Sequence, residues 1–252
     1  GQNVFLLHGF ASSTYTWEKT APLLQAKGYH VWALDMKGFG WSDKPEGSDY
    51  APQQLLEEVN AWMEKMGLSK VVFVGNSLGG AIAWNMALEH PDKVKKLVLI
   101  DAAGFMHEMP FPVRLAGLPG ASAIAGLFFG RWMIRDALDQ VYFDPTLITE
   151  EQIDAYYNRM RTRNALYALT ALGRSVATLS SEKYALRIPE IQMDTLIIWG
   201  REDAWIPVED GFKFKKALPK ATLEVIPWCG HIPQEEKPEE TARLILEFLA
   251  EK

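Results

Sequence analysis

Ser77 lies in the run Gly75-Asn76-Ser77-Leu78-Gly79, between the apolar stretch Lys70-Val71-Val72-Phe73-Val74 and the helix-forming Ala81-Ile82-Ala83-Trp84-Asn85-Met86-Ala87-Leu88. A G-x-S-x-G between a strand and a helix reads as a nucleophile elbow, a tight turn that holds the serine in a strained backbone conformation above the end of a sheet. Glycine on both sides lets strand and helix approach closely. The helix N-terminus then aims free N–H groups at any anion that forms beside Ser77.

A serine nucleophile needs a base, and the chain has five histidines. His8 ends the run Val4-Phe5-Leu6-Leu7 and His30 opens Val31-Trp32-Ala33-Leu34, positions that favour structural roles. His90 closes the helix after the elbow, just before Pro91, where a cation suits the helix dipole. His107 sits in an apolar middle region with nothing to position it. His231 follows the run Ala221-Thr222-Leu223-Glu224-Val225-Ile226 and the turn Pro227-Trp228-Cys229-Gly230, ahead of a helix that begins near Lys237. It therefore occupies a loop leaving a late strand, and in a parallel sheet such loops share one edge with the elbow. His231 is the expected base.

The acid that orients the base should leave another strand on that edge, and Thr195-Leu196-Ile197-Ile198-Trp199-Gly200-Arg201-Glu202-Asp203 supplies one. Asp203 is preferred to Glu202 because the short turn after Gly200 has to reach across the sheet edge. Asp101, at the end of Leu97-Val98-Leu99-Ile100, is its rival, with a capping or turn role as the alternative. Cys229, two residues from His231, lacks an elbow and reads as a packed loop residue.

The order Ser77, Asp203, His231 and four further segments give the chain its resemblance to the α/β-hydrolase family, in the lid-bearing esterase and epoxide-hydrolase-like branch. The segments are His8-Gly9-Phe10, the turn from Asp35 to Ser42, Gly200-Arg201-Glu202-Asp203 and Gly230-His231-Ile232-Pro233, and the resemblance runs over nearly the whole sequence. It implies an oxyanion hole made by the backbone N–H groups of Phe10 and Leu78, with His8 bracing the loop. The Asp35 to Ser42 segment reads as a structural turn, since no Gly-Lys-Ser or dinucleotide pattern accompanies its glycines.

Departures from the family's branches narrow the chemistry. Ser77 stands where epoxide hydrolases and haloalkane dehalogenases carry aspartate, and Leu78 where the dehalogenases carry tryptophan. Ala11-Ser12 does not resemble the proline-bearing loop of cofactor-free perhydrolases. Carbon–carbon bond hydrolases share an elbow similar to Gly75-Asn76-Ser77, but usually carry a longer glycine-rich loop in place of Gly9-Phe10-Ala11-Ser12-Ser13. The expectation is a serine carboxylesterase-type hydrolase that cleaves carboxylic esters, or thioesters, of small to medium apolar substrates through an acyl-enzyme. A carbon–carbon bond hydrolase, or a small-molecule receptor on the same scaffold, is the alternative. No cofactor and no metal is expected.

Short apolar runs alternate with helical patterns, which predicts an α/β fold with a mostly parallel sheet flanked by helices. Strands are expected near 3–7, 30–34, 70–74, 95–100, 195–199 and 221–226, and helices near 16–26, 52–66, 77–89, 208–216 and 238–250. The alternation breaks after Gly104, so residues 1–103 and 188–252 are expected to form the core and 104–187 a helical cap over the serine. Its Phe111, Leu115, Leu127, Phe128, Phe129, Trp132, Tyr156, Leu166 and Leu169 would divide between cap interior and substrate wall.

With 252 residues, 48% hydrophobic and 23% charged, the composition is that of an ordinary globular chain. The net charge of −6 gives no footprint for nucleic acid, and Arg159, Arg161 and Arg163 read as a solvated helix face. A single cysteine excludes an internal disulfide and suggests a reducing, cytoplasmic setting. No apolar run reaches membrane-spanning length. Gly1-Gln2-Asn3 leads straight into the first strand where the family usually has two earlier ones, so the start reads as trimmed and strand 30–34 as an exposed edge.

Overall fold

The computed structural model describes residues 1–105, 118, 126, 128–178 and 185–251. Its frame is one parallel sheet of β1 (Asn3–Leu7), β2 (His30–Leu34), β3 (Val71–Asn76), β4 (Val94–Ile100), β5 (Thr195–Gly200) and β6 (Ala221–Ile226). The strand order is β2-β1-β3-β4-β5-β6. β1, β3 and β5 are short, apolar and buried, as strands covered on both faces must be, whereas the edge strands β2 and β6 are partly exposed. Alternation decides the faces. Phe5 and Phe73 turn to one side, edge to face at 5.5 Å, and pack with Leu56, Met63, Ile82 and Met86. Val4, Leu6, Val72 and Val74 turn to the other and pack with Leu24, Ile245 and Phe248. Full burial of each phenylalanine is worth roughly 1.5–3 kcal/mol.

The covering helices are α1 (Thr20–Gln25), α2 (Pro52–Lys65) and α3 (Leu78–Glu89), then, beyond β5, α7 (Val208–Ala217), α8 (Pro233–Glu236) and α9 (Pro238–Ala250). Pro52 and Pro238 open α2 and α9, where a missing N–H costs nothing, and Pro91 stops α3. Between β4 and β5 lie α4 (Arg131–Val141), α5 (Glu150–Met160) and α6 (Ala165–Thr178). Ile134, Leu138 and Val141 of α4 and Ile153 and Tyr156 of α5 form a small core of their own, and Ile232, beside His231, is part of it. No strand falls among the described residues of 104–187; His107, Phe111, Leu115 and Leu127 lie outside the described residues. Among the described residues no helix is long and apolar enough to cross a membrane.

The chain runs from β1 outward to β2 and then back to β3 on the other side of β1, so the order reverses between β1 and β3. Their carboxyl ends flank the crevice where parallel sheets hold ligands. Two local expectations shift. The helix expected over 16–26 breaks into a 3₁₀ turn, Thr14–Trp17, and α1. Ser13 caps the turn through Tyr15 N–H, and Pro22 has no N–H to carry a ladder back across it. The strand expected over 70–74 continues to Asn76, directly into the elbow.

Candidate active site

Ser77 is the first residue after β3, with φ 54° and ψ −117°, a left-handed conformation strained for any residue with a Cβ. Three backbone hydrogen bonds hold it there: its N–H donates to Ile100 O at 3.0 Å, and its carbonyl accepts from Ala81 and Ala103. A Cβ on Gly75 would collide with the Gly79 carbonyl, and one on Gly79 with the Leu7 carbonyl. Only glycine at both positions lets α3 start this close to β1 and β3.

His231 Nδ1 donates to Asp203 Oδ2 at 2.7 Å, with both side chains buried. Asp203 Oδ1 accepts from Trp205 N–H at 2.7 Å and Ile206 N–H at 3.0 Å, so its carboxylate receives three donors. The Trp205 indole stacks on the imidazole at 5.5 Å. Asn76 Nδ2 donates to the carbonyls of Ile100 (3.2 Å) and His231 (3.0 Å), which joins the elbow to the histidine loop. Glu202 accepts from Cys229 N–H at 3.0 Å instead. Asp101 is wholly buried and accepts from Gly200 N–H at 2.9 Å. Burial, and then the neighbouring Asp203 charge, push its carboxyl well above the usual carboxylate range.

Ser77 and His231 share the wall of a cavity of about 640 Å³ with Phe10, Ile134, Tyr156 and Trp205. The lining is apolar, and the described lining residues include Asp136 but no lysine or arginine. Phe10 stands in the loop after β1, beside Ala11 at φ 56°; Leu78 is the first residue of α3 and is buried. Tyr156 OH lies 3.3 Å from Ser12 Oγ and donates to the buried carboxyl of Glu235, which also accepts from Thr16 Oγ1 and Gln152 Nε2. Burial raises the Glu235 carboxyl above its ordinary value.

The remaining histidines lie elsewhere. His8 is buried, donates from Nδ1 to Gly9 O and accepts at Nε2 from Met36 N–H, so burial holds it neutral as a brace. His30 is exposed on β2, and His90 pairs with Glu57 at 3.5 Å at the end of α3. Cys229 is buried, which pushes its thiol up and away from nucleophilic ionisation. Arg159 departs from the solvated face expected of it: its guanidinium lies over the rings of Tyr15 and Trp41 at 5.1 and 5.3 Å. Among the described residues, Asp101, Asp203 and His231 are the group whose donor atoms all lie within 4.8 Å of one another.

Trp205, Asn76 and Glu236 were not singled out from the sequence. Asn76 had a signal, its place inside the elbow. Trp205 meets His231 across 26 residues of chain, and Glu236 reaches the histidine loop from α8.

A family model described as alpha/beta hydrolase fold matches residues 2–238. This chain belongs to the α/β-hydrolase family. It is 30% identical over 260 residues to a 2-hydroxy-6-oxononadienedioate/2-hydroxy-6-oxononatrienedioate hydrolase of Comamonas testosteroni, covering 99% of this chain and 88% of that one. The structure of a meta-cleavage product hydrolase from Pseudomonas fluorescens IP01 superposes with a TM-score of 0.86 at 28% identity, covering 99% and 90%. A membrane phospholipase A, described as a bacterial virulence factor, superposes with a TM-score of 0.78 at 28% identity, covering 99% and 78%. The chain is thus a hydrolase of this family.

Proposed function

We propose that this α/β-hydrolase breaks the bond beside a carbonyl carbon in a largely apolar substrate, with a carbon–carbon bond of the kind cleaved by meta-cleavage product hydrolases as the first reading. The observation that carries the serine chemistry is the 2.7 Å His231–Asp203 hydrogen bond in a loop that shares one cavity wall with Ser77. The hydrolases of 2-hydroxy-6-oxo dienoates among its relatives support the choice of bond. This reverses the ranking drawn from the sequence, where the short Gly9–Ser13 loop favoured esters.

In this reading Ser77 Oγ gives its proton to His231 Nε2 as it attacks the carbonyl carbon. The N–H groups of Phe10 and Leu78 hold the resulting oxyanion. Collapse reforms the C=O and breaks the bond to the leaving group, which takes the proton from His231. Water, deprotonated by His231, then releases the acyl group as a carboxylic acid and restores Ser77. Asp203 holds the imidazole in the tautomer both steps need. A carbon leaving group departs with its electron pair only if conjugation to a second carbonyl delocalises that pair before protonation, as in a dienoate. The 104–187 segment acts as the cap that excludes water from these steps, above a core of 1–103 and 188–252.

The ester reading keeps a specific observation of its own. A dienoate carboxylate entering this cavity meets no lysine or arginine among the described lining residues, and an unpaired buried charge is costly. An uncharged ester carries no such penalty, and phospholipase A is an ester hydrolase. One preparation assayed with a 2-hydroxy-6-oxo-dienoate, by loss of its chromophore, and with p-nitrophenyl butyrate decides the order. The first reading expects the larger kcat/KM for the dienoate; a larger value for the ester reverses it, and Ser77→Ala abolishes both.

A further inference from the structure

Asp101 has no task in the mechanism just described, yet the fold invests in it. It is fully buried, and its backbone is held at φ 44°, a left-handed conformation that aspartate tolerates better than most residues. Its Oδ1 accepts from Gly200 N–H at 2.9 Å, while among the described residues no hydrogen-bond donor reaches Oδ2. The group next to it is the carboxylate of Asp203, and one oxygen from each, with a ring nitrogen of His231, all lie within 4.8 Å of one another.

Burial and a second carboxyl group within 4.8 Å both disfavour ionisation of Asp101, so a proton retained by the pair relieves both costs. The surrounding hydrogen bonds decide which side holds it. Asp203 receives three donors, from His231 Nδ1, Trp205 N–H and Ile206 N–H. Asp101 receives one. Among the described residues, Cys229, whose thiol burial keeps neutral, and Glu236, from α8, also act on Asp101, and Glu236 contributes negative potential. An Oδ2 that accepts nothing is also what a protonated oxygen would be, since it is then the donor.

We propose that Asp101 is a positioning residue, a neutral carboxylic acid whose O–H donates to the Asp203 carboxylate, fixes its orientation and draws charge from it, and so lowers the basicity of His231. The inference rests on the serine hydrolase reading for its catalytic consequence, but the state of the proton can be measured without any turnover. Asp101→Asn is close to isosteric: its amide donates to Asp203 and its carbonyl still accepts from Gly200. Asp101→Ala removes the donor and leaves Asp203 to stabilise the imidazolium with its full charge.

Two measurements test this. Infrared spectra of protein labelled with ¹³C-aspartate should show a neutral carboxyl band that persists through neutral pH and vanishes in Asp101→Asn. In the pH profile of kcat/KM, the acid limb of Asp101→Asn should match the parent, whereas that of Asp101→Ala should move upward by about half a unit or more. Absence of the neutral band at neutral pH, an Asn variant shifted as far as the Ala variant, or an Ala variant with an unmoved limb each overturns the proposal. If Asp101→Ala does not fold, the infrared band and the Asn profile decide. Failure of the hydrolase reading looks different: Ser77→Ala would keep the parent's activity while the neutral band stayed in place.

Discussion

The backbone N–H of His231 donates to the carbonyl oxygen of Val141 at 2.8 Å, so the loop that carries the imidazole is fastened to the last residue of α4. Glu236 adds a second clamp across the same junction. Its Oε2 accepts from Gly230 N–H at 2.7 Å and Phe143 N–H at 3.2 Å, and its Oε1 accepts from Asp144 N–H at 2.8 Å. The cavity wall contributed by α4 and the residue proposed as base are therefore held in one rigid arrangement, and Ile232 packs into the α4–α5 core beside them.

Gly230→Ala tests that junction. A Cβ at this position would collide with the Val141 carbonyl, a backbone atom that cannot swing away, so loop and helix must separate. Forced overpacking costs roughly 1–3 kcal/mol. A displacement of about 1 Å at the imidazole costs on the order of 10²-fold in kcat. A variant with the parent's melting temperature and kcat would show that the contact does not set the position of His231.

Ser77→Ala and His231→Ala should each lower kcat by about 10⁴-fold or more while circular dichroism stays unchanged. Asp203→Asn should cost about 10⁴-fold, because an amide favours the wrong imidazole tautomer, and Asp101→Asn far less. The opposite ranking of the two aspartates would transfer the orienting role to Asp101.

The sequence reading placed Asp203 above its rival Asp101. Asp101 and Asp203 both follow parallel strands on the same sheet edge, so position alone leaves them equal; the side-chain contact of Asp203 with His231 separates them. The elbow was legible because its glycines are a steric necessity that local sequence records. The six strands were legible for the same reason, as short apolar runs between turns. The clamp at Glu236 was not, because it joins residues 93 positions apart and nothing in Pro233-Gln234-Glu235-Glu236 distinguishes a buried carboxylate from a helix-start charge. Arg159 and Arg161 misled in the opposite sense, since alternating arginines resemble a solvated face until the aromatic rings beneath two of them are seen.

Cys229 supplies a simple check on packing at the site. Burial raises its thiol, so the native protein at neutral pH should resist a water-soluble disulfide reagent and react with one equivalent only after unfolding. Cys229→Ala should retain kcat within a few-fold. Rapid labelling of native protein accompanied by loss of activity would mean the loop before His231 opens freely.

The raised carboxyl of Asp101 carries a stability consequence with a definite sign. A group whose folded pKa lies above its unfolded value binds more protons when folded, so its contribution is fully present below the unfolded carboxylate range and is lost as pH rises through the window above it. Asn at this position has no proton to lose. The melting temperature of Asp101→Asn relative to the parent should therefore climb steadily from about pH 4 toward neutrality, where the unfolded aspartate, with a pKa near 3.9, is ionised. A difference independent of pH would mean that folding leaves this carboxyl's proton affinity unchanged.

The cavity sets the last expectation. Its lining around Ser77 is apolar, with Phe10, Ile134, Leu138, Leu166 and Trp205 as its walls, and its volume is about 640 Å³. Each methylene buried there is worth up to about 0.8 kcal/mol, or roughly fourfold in kcat/KM. Across p-nitrophenyl esters used as reporters, kcat/KM should rise from acetyl to medium acyl chains and fall once the cavity is full, whichever bond the natural substrate offers. Leu138→Trp, which fills part of that wall, should move the maximum to shorter chains and lower kcat/KM for the longest while sparing the acetyl ester. A flat profile across chain lengths, or a maximum unmoved by the added indole, would place the acyl group somewhere other than this cavity.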